Sequence, residues 1–169
     1  MGVRRKYVDG IGGSCYSKTS DYGTSPTPLS MRYQNTPISD LIVVFMGTND
    51  YGHGTPIGYF EDFDGTNDIS FYSACRRSLG ELQSAYGGRL VVMTPLHRKQ
   101  LIVDGQVTHP TDDTPNAQGN TLQDYVDALK DVCRQYSIPV IDLYAMSSFT
   151  PRSQRQYDEY TTDGLHPNE

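Results

Sequence analysis

Three short apolar runs constrain the architecture of this chain more than any other feature. They are Leu41-Ile42-Val43-Val44-Phe45-Met46, Leu90-Val91-Val92-Met93 and Ile138-Pro139-Val140-Ile141-Asp142-Leu143. None alternates apolar with polar, the pattern expected of strands covered on both faces. A weaker fourth run, Lys6-Tyr7-Val8-Asp9, precedes Gly10-Ile11-Gly12-Gly13. Helical spacing fills the gaps between strands. Leu122, Tyr125, Val126, Leu129, Val132, Cys133 and Tyr136 form one stripe, with Asn120 and Gln123 placed to cap its start. A second helix is expected from near Ile69 to Tyr86. Its face is Phe71, Cys75, Leu79, Leu82 and Tyr86, and Gly87-Gly88 stops it. Strand alternating with helix implies a parallel sheet joined by right-handed crossovers. Residues 99–119 read as a long polar loop.

The 169 residues amount to about one domain, and no repeat divides them. A net charge of −6 and no basic run interleaved with aromatics argue against nucleic acid as a partner. No apolar stretch approaches the roughly 20 residues that cross a bilayer. The basic start, Met1 to Lys6, lacks the apolar segment of a signal peptide, so the cytosol is the default compartment, unless a leader precedes it. Cys15, Cys75 and Cys133 are odd in number and widely spaced, which suits buried thiols better than disulfides or a zinc site.

In a parallel sheet, ligands bind at the carboxyl ends of the strands. Polar residues gather there: Gly12-Gly13-Ser14, Gly47-Thr48-Asn49-Asp50, Thr94-Pro95-Leu96-His97-Arg98, and the terminal Asp163-Gly164-Leu165-His166-Pro167-Asn168. The last holds a carboxylate three residues before an imidazole, in a segment that Gly164 and Pro167 bend sharply. That is the orienter-and-base half of a hydrolytic triad. An amide at Asn49 could donate to a developing oxyanion, though a strand-ending turn accounts for the same four residues. The tetrapeptide recurs as Gly65-Thr66-Asn67-Asp68, which follows no strand and leads into the helix with Asn67 or Asp68 near its N-cap. Gly12 and Gly13 would let backbone N–H groups approach an anion, and a tight turn accounts for them equally. His53 and His97 follow strand ends and could line a substrate pocket. The four histidines show no metal-ligand spacing.

These blocks together resemble the GDSL-type, or SGNH, hydrolases over nearly the whole chain. Asp163-Gly164-Leu165-His166-Pro167-Asn168 is the most specific match, Gly47-Thr48-Asn49-Asp50 the next, and Asp9-Gly10-Ile11-Gly12-Gly13-Ser14 looks like the family's glycine block. The resemblance implies a three-layer α/β/α sandwich with a flavodoxin-like parallel sheet, strand order 2-1-3-4-5, and no metal or cofactor. It implies that His166 is the general base, Asp163 its orienter, and Asn49 (side chain) and Gly13 (backbone) oxyanion donors. The substrate would be a small ester, an acylated sugar or lipid.

One departure matters. The family's nucleophile lies in a Gly-Asp-Ser block, and no such tripeptide occurs here. The resemblance therefore implies a single SGNH-like domain, residues 1–169, that lacks the first, central strand and the last helix. The expectation is a serine esterase when complete, with this chain close to inactive and prone to aggregate or to pair Tyr7-Val8 beside Val43. Ser14 is the in-chain candidate for a substitute nucleophile. A carbohydrate- or lipid-binding relative that has lost its serine is the alternative, and a nucleotide-binding flavodoxin-like domain would lack a phosphate-cradling motif. Oligomeric state is left open.

Overall fold

The structure, a computed structural model, describes residues 6–18 and 27–168; the basic opening at 1–5 lies outside them. In chain order the elements are α1 (Leu29–Arg32), β1 (Ile42–Phe45), α2 (Thr48–Gly52), α3 (Phe71–Tyr86), β2 (Leu90–Met93), β3 (Leu101–Val103), β4 (Gln106–His109), α4 (Leu122–Gln135), β5 (Val140–Ile141), α5 (Leu143–Met146) and α6 (Gln154–Tyr160). β1, β2 and β5 form one parallel sheet in that order, with Ile42 opposite Leu90 and Val92 opposite Val140. The three expected strands are therefore present, and the architecture is mixed α/β around a parallel sheet.

The two long helices begin on side-chain caps. Ser70 Oγ accepts from the Ser73 amide at 3.1 Å, and Thr121 and Asp124 make a reciprocal capping box. Both caps differ from the expected residues: Ser70 replaces Asn67 or Asp68, and Thr121 replaces Asn120. Asp68 accepts instead from the Ser30 hydroxyl at 2.7 Å, and Asn120 belongs to the loop held by Asn116. α3 ends at Gly87, whose positive φ of 59° suits a residue without Cβ.

Both crossovers, β1–α3–β2 and β2–α4–β5, step the same way along the sheet. With right-handed connections this places α3 and α4 on one face, where they pack together. Leu79, Leu82, Leu129 and Val132 meet Ile42, Val44, Leu90 and Val92 in the core. The opposite face is barer: Val43 and Phe45 are each 49% exposed. Burial thus alternates along β1 although polarity does not.

The weak fourth strand does not form. Residues 6–11 are irregular, Tyr7 and Val8 are exposed, and Asp9 is drawn to Arg32 by an ion pair of 2.9 Å. This segment does not pair beside Val43. It forms one wall of a groove of about 620 Å³ whose other wall includes Leu41, Val43 and Phe45. Among the described residues β1 makes its ladder with β2 alone, which leaves its other edge open there. The loop at 99–119 also differs from expectation: β3 and β4 form an antiparallel hairpin, turned by Asp104 and Gly105, both at positive φ.

Candidate active site

The short helix α2 starts at the end of β1, and Asn49, Asp50 and the C-cap residue His53 tie it to residues 13–17. Gly47, at φ 115°, turns the chain from strand into helix. A Cβ there would also approach Pro95 to 3.3 Å. Asn49 then directs its Nδ2 to the backbone oxygen of Ser14 at 3.0 Å. Asp50 is fully buried and accepts from the Tyr16 amide at 2.9 Å, the Ser17 amide at 3.2 Å and the Ser17 hydroxyl at 3.2 Å. His53 hydrogen-bonds the backbone of Gly13. Desolvation, then the charge of Arg98, holds the His53 imidazole below its usual pKa, against that bond to Gly13. Desolvation also pushes the Asp50 carboxyl up to about 7, although its three donors favour ionisation.

The glycine block is itself a tight turn. The Ser14 amide donates to the Ile11 carbonyl at 3.1 Å, with Gly13 at φ 74°. The Ser14 hydroxyl is already engaged: it receives Arg32 Nη1 at 2.8 Å and donates to the Thr27 carbonyl at 3.4 Å, and the residue is 4% exposed.

At the far end of the chain, Asp163 and His166 meet as expected. Asp163 Oδ2 lies 2.6 Å from His166 Nδ1, and Oδ1 accepts the backbone amides of Leu165 at 2.9 Å and His166 at 2.7 Å. Partial burial raises the Asp163 pKa. The backbone amide and then the ring of His166 outweigh that effect, together with the Leu165 amide, and hold the pKa down at about 2. An ionised carboxylate is only an acceptor, so Nδ1 carries the hydrogen and Nε2 the lone pair. The imidazole is 70% exposed.

Two consecutive residues after β2 touch both halves. Arg98, 3% exposed, donates from Nη1 to the Thr48 carbonyl at 3.2 Å and to its hydroxyl at 3.1 Å, and from Nε to the Pro110 carbonyl at 3.1 Å. Its guanidinium lies 5.2 Å from the centre of the Tyr51 ring. Lys99 donates its backbone amide to the Gly164 carbonyl at 2.9 Å. His97 turns elsewhere: its Nδ1 bonds the buried carboxylate of Asp112, and its ring lies 3.9 Å from that of Tyr144, tilted by 38°. Arg152 bonds the same carboxylate at 2.9 Å. In the sequence Arg98 stands only as part of a strand-end segment, and nothing local marks Asp112 or Arg152; the burial of Arg98 shows only in the fold.

The sequence matches the model of the GDSL-like Lipase/Acylhydrolase family over residues 2–169. The chain belongs to that family. A solved structure with 30% identity has a TM-score of 0.81, with 92% of this chain and 68% of that one covered. A Lactobacillus plantarum protein is 27% identical, with a TM-score of 0.72 and coverage of 93% and 70%. A possible lipase from Chitinophaga pinensis, 20% identical with a TM-score of 0.63 and coverage of 83% and 72%, shares the fold. No curated protein matches. Family membership makes this a GDSL-type hydrolase chain, of the esterase and lipase kind. Among the described residues no helix is long and apolar enough to cross a membrane.

Proposed function

We propose that this chain supplies the general base, its orienting carboxylate and the oxyanion donors of a serine acyl-ester hydrolase. The observation that carries this reading is the Asp163–His166 pair: one carboxylate oxygen on Nδ1 at 2.6 Å, the other fixed by two backbone amides. That arrangement fixes the tautomer whose Nε2 can take a proton.

The chemistry then runs in two displacements. A serine hydroxyl attacks the ester carbonyl while His166 Nε2 takes its proton. The Asn49 amide, with one hydrogen on the Ser14 carbonyl, turns its other hydrogen to the oxyanion, and the Gly13 N–H adds a second donor. His166 returns the proton to the leaving alcohol. Water, deprotonated by His166, then releases the acyl group from the serine. The substrate would be a small acylated sugar or lipid.

Ser14 does not serve as the nucleophile, because Arg32 and its burial hold its hydroxyl. The serine of the family's Gly-Asp-Ser block would sit on a strand laid along the open edge of β1, next to the Asn49 turn. The exposed Val43 and Phe45 and the groove beside them support that placement. The test is hydrolysis of p-nitrophenyl acetate by this chain alone and by a version carrying a Gly-Asp-Ser strand ahead of Lys6. Turnover is expected only in the second, and His166→Ala should abolish it. Turnover unaffected by His166→Ala would overturn the reading.

A further inference from the structure

The Asn49 turn and the Asp163–His166 loop are separated by more than a hundred residues, yet both are anchored to neighbouring residues of one segment. We propose that Arg98 is a positioning residue that sets the Asn49 turn against the Asp163–His166 loop. The inference rests on the functional reading above and adds to it a residue outside the base, the orienter and the oxyanion donors.

The geometry is specific. Arg98 Nη1 reaches both the carbonyl and the hydroxyl of Thr48, the residue before Asn49. Nε holds the Pro110 carbonyl at 3.1 Å. The Arg98 carbonyl in turn accepts the Asp112 amide at 3.3 Å, so the 110–112 segment grips residue 98 by side chain and backbone. The next amide, that of Lys99, holds the carbonyl of Gly164, between Asp163 and Leu165. A shift of the 98–99 backbone therefore moves both halves of the site together.

An arginine suits this position for a physical reason. Three acceptors lie in two directions from one buried group, which a planar fork of N–H donors can serve and a single ammonium cannot. Gly52 leaves room for it: a Cβ there would come to 3.4 Å of Nη1. Burying the cation is costly. Desolvation lowers the Arg98 pKa, while the Tyr51 hydroxyl and the Asp112 and Asp163 carboxylates favour its charged form.

The test needs no turnover, so it stays separate from the test of the hydrolase reading. Nuclear magnetic resonance of the labelled chain would follow three reporters: exchange of the Leu165 and His166 amides, the Asn49 side-chain amide, and the titration of His53. Arg98→Gln should speed exchange at Leu165 and His166 about tenfold and shift the Asn49 amide, while amides of α4 stay protected. His53 should titrate at higher pH once the nearby cation is gone. Arg98→Lys should restore the His53 titration, which senses charge, but not the other two reporters, which sense the fork. Thr48→Val, which deletes one acceptor, should move the same reporters less, and serves if Arg98→Gln does not fold. Lys130→Met, which breaks the 2.6 Å ion pair to Asp142, should move none of them. Movement of only one half of the site, equal acceleration in α4, or full rescue by lysine would overturn the proposal.

Discussion

Asn49 and Ser14 are joined by a hydrogen bond of 3.0 Å from the side-chain amide of the first to the backbone carbonyl of the second. The bond makes the proposed oxyanion donor part of the scaffold. One amide hydrogen fixes the rotamer and ties α2 to the glycine block, and the other is directed without any cost of ordering at the moment of reaction. His53 on Gly13 and Asp50 on Tyr16 and Ser17 continue the same seam.

Replacing Asn49 should therefore act on chemistry more than on binding. In the version that carries a Gly-Asp-Ser strand, Asn49→Ala is expected to lower kcat about 10²–10³-fold with a smaller change in KM, as loss of one oxyanion donor does. Steady-state kinetics on p-nitrophenyl acetate provide the measurement. An equal rise in KM with kcat unchanged would assign Asn49 to ground-state binding.

Asp163→Asn should be more damaging than its conservative shape suggests. An amide placed at Oδ2 would present N–H to Nδ1 or force a flip that loses a backbone acceptor, so the imidazole no longer has its hydrogen held on Nδ1. The kcat of the version that carries a Gly-Asp-Ser strand should fall by about 10⁴, the scale seen when a triad carboxylate is neutralised. In the wild type, the depressed pKa of Asp163, about 2, means that its stabilising bonds are fully made above the unfolded carboxyl value and are lost as pH falls toward 2. Amide shifts of Leu165 and His166 followed from pH 5 to pH 2 should report that loss, and should be flat in Asp163→Asn.

Asp50 should give the opposite pH response. Its folded pKa, about 7, lies above the ordinary carboxyl value, so its contribution to stability is full below the unfolded pKa and fades as pH rises toward 7 and beyond. The urea midpoint should fall between pH 4 and pH 8. Asp50→Asn removes the titrating group, and that part of the slope should vanish. Its amide also places N–H against a backbone donor at Tyr16 or Ser17, so the midpoint should be lower throughout. An unchanged slope in Asp50→Asn would assign the pH dependence to other groups.

The open edge of β1 makes a third kind of prediction, about association. Val43 and Phe45 are half-exposed beside a strand edge left unpaired among the described residues, the combination that recruits other strands. The chain should self-associate with rising concentration, and Phe45→Lys should reduce that tendency, with light scattering after size exclusion as the readout. A monomer at all concentrations in the parent chain would show that the groove beside Tyr7 and Val8 is protection enough.

The strands and long helices were legible because their signals are local: apolar runs for β1, β2 and β5, and a three-to-four residue stripe for α4. The Asp163–His166 pair was legible for the same reason, since both partners lie within one turn of chain. The bare face at Val43 and Phe45 was not, because a run apolar throughout reads as buried on both sides whatever covers it. α2 has five residues, too few to show a period. The hairpin in 99–119 did carry a signal, Asp104-Gly105 after the apolar run Leu101-Ile102-Val103, hidden by the polarity around it. The 97–99 segment was the least accessible: Arg98 meets Thr48, fifty residues away, and only the folded chain brings them together.

Gly164 shows how tightly that junction is built. Its φ is 77°, a region costly for any residue with a side chain. A Cβ would also lie 2.9 Å from the Tyr157 ring, 3.0 Å from Lys99 Cβ and 3.2 Å from the Lys99 carbonyl. The ring and the lysine are held together by a cation–π contact of 4.4 Å, so neither can retreat without cost. Gly164→Ala should therefore push the Asp163–His166 loop away from residues 98–99 and break the bond from the Lys99 amide. The expected loss is about 1–3 kcal/mol of stability, read as a lower thermal midpoint. Faster exchange of the Lys99 amide should accompany it. Gly105→Ala, at φ 76° but with open space around its Cβ, is the control. It carries the backbone strain without the clash, so its loss should be smaller and the Lys99 amide unaffected. Equal effects at both positions would mean that strain alone, and not the packing of the base loop on Lys99 and Tyr157, sets the cost.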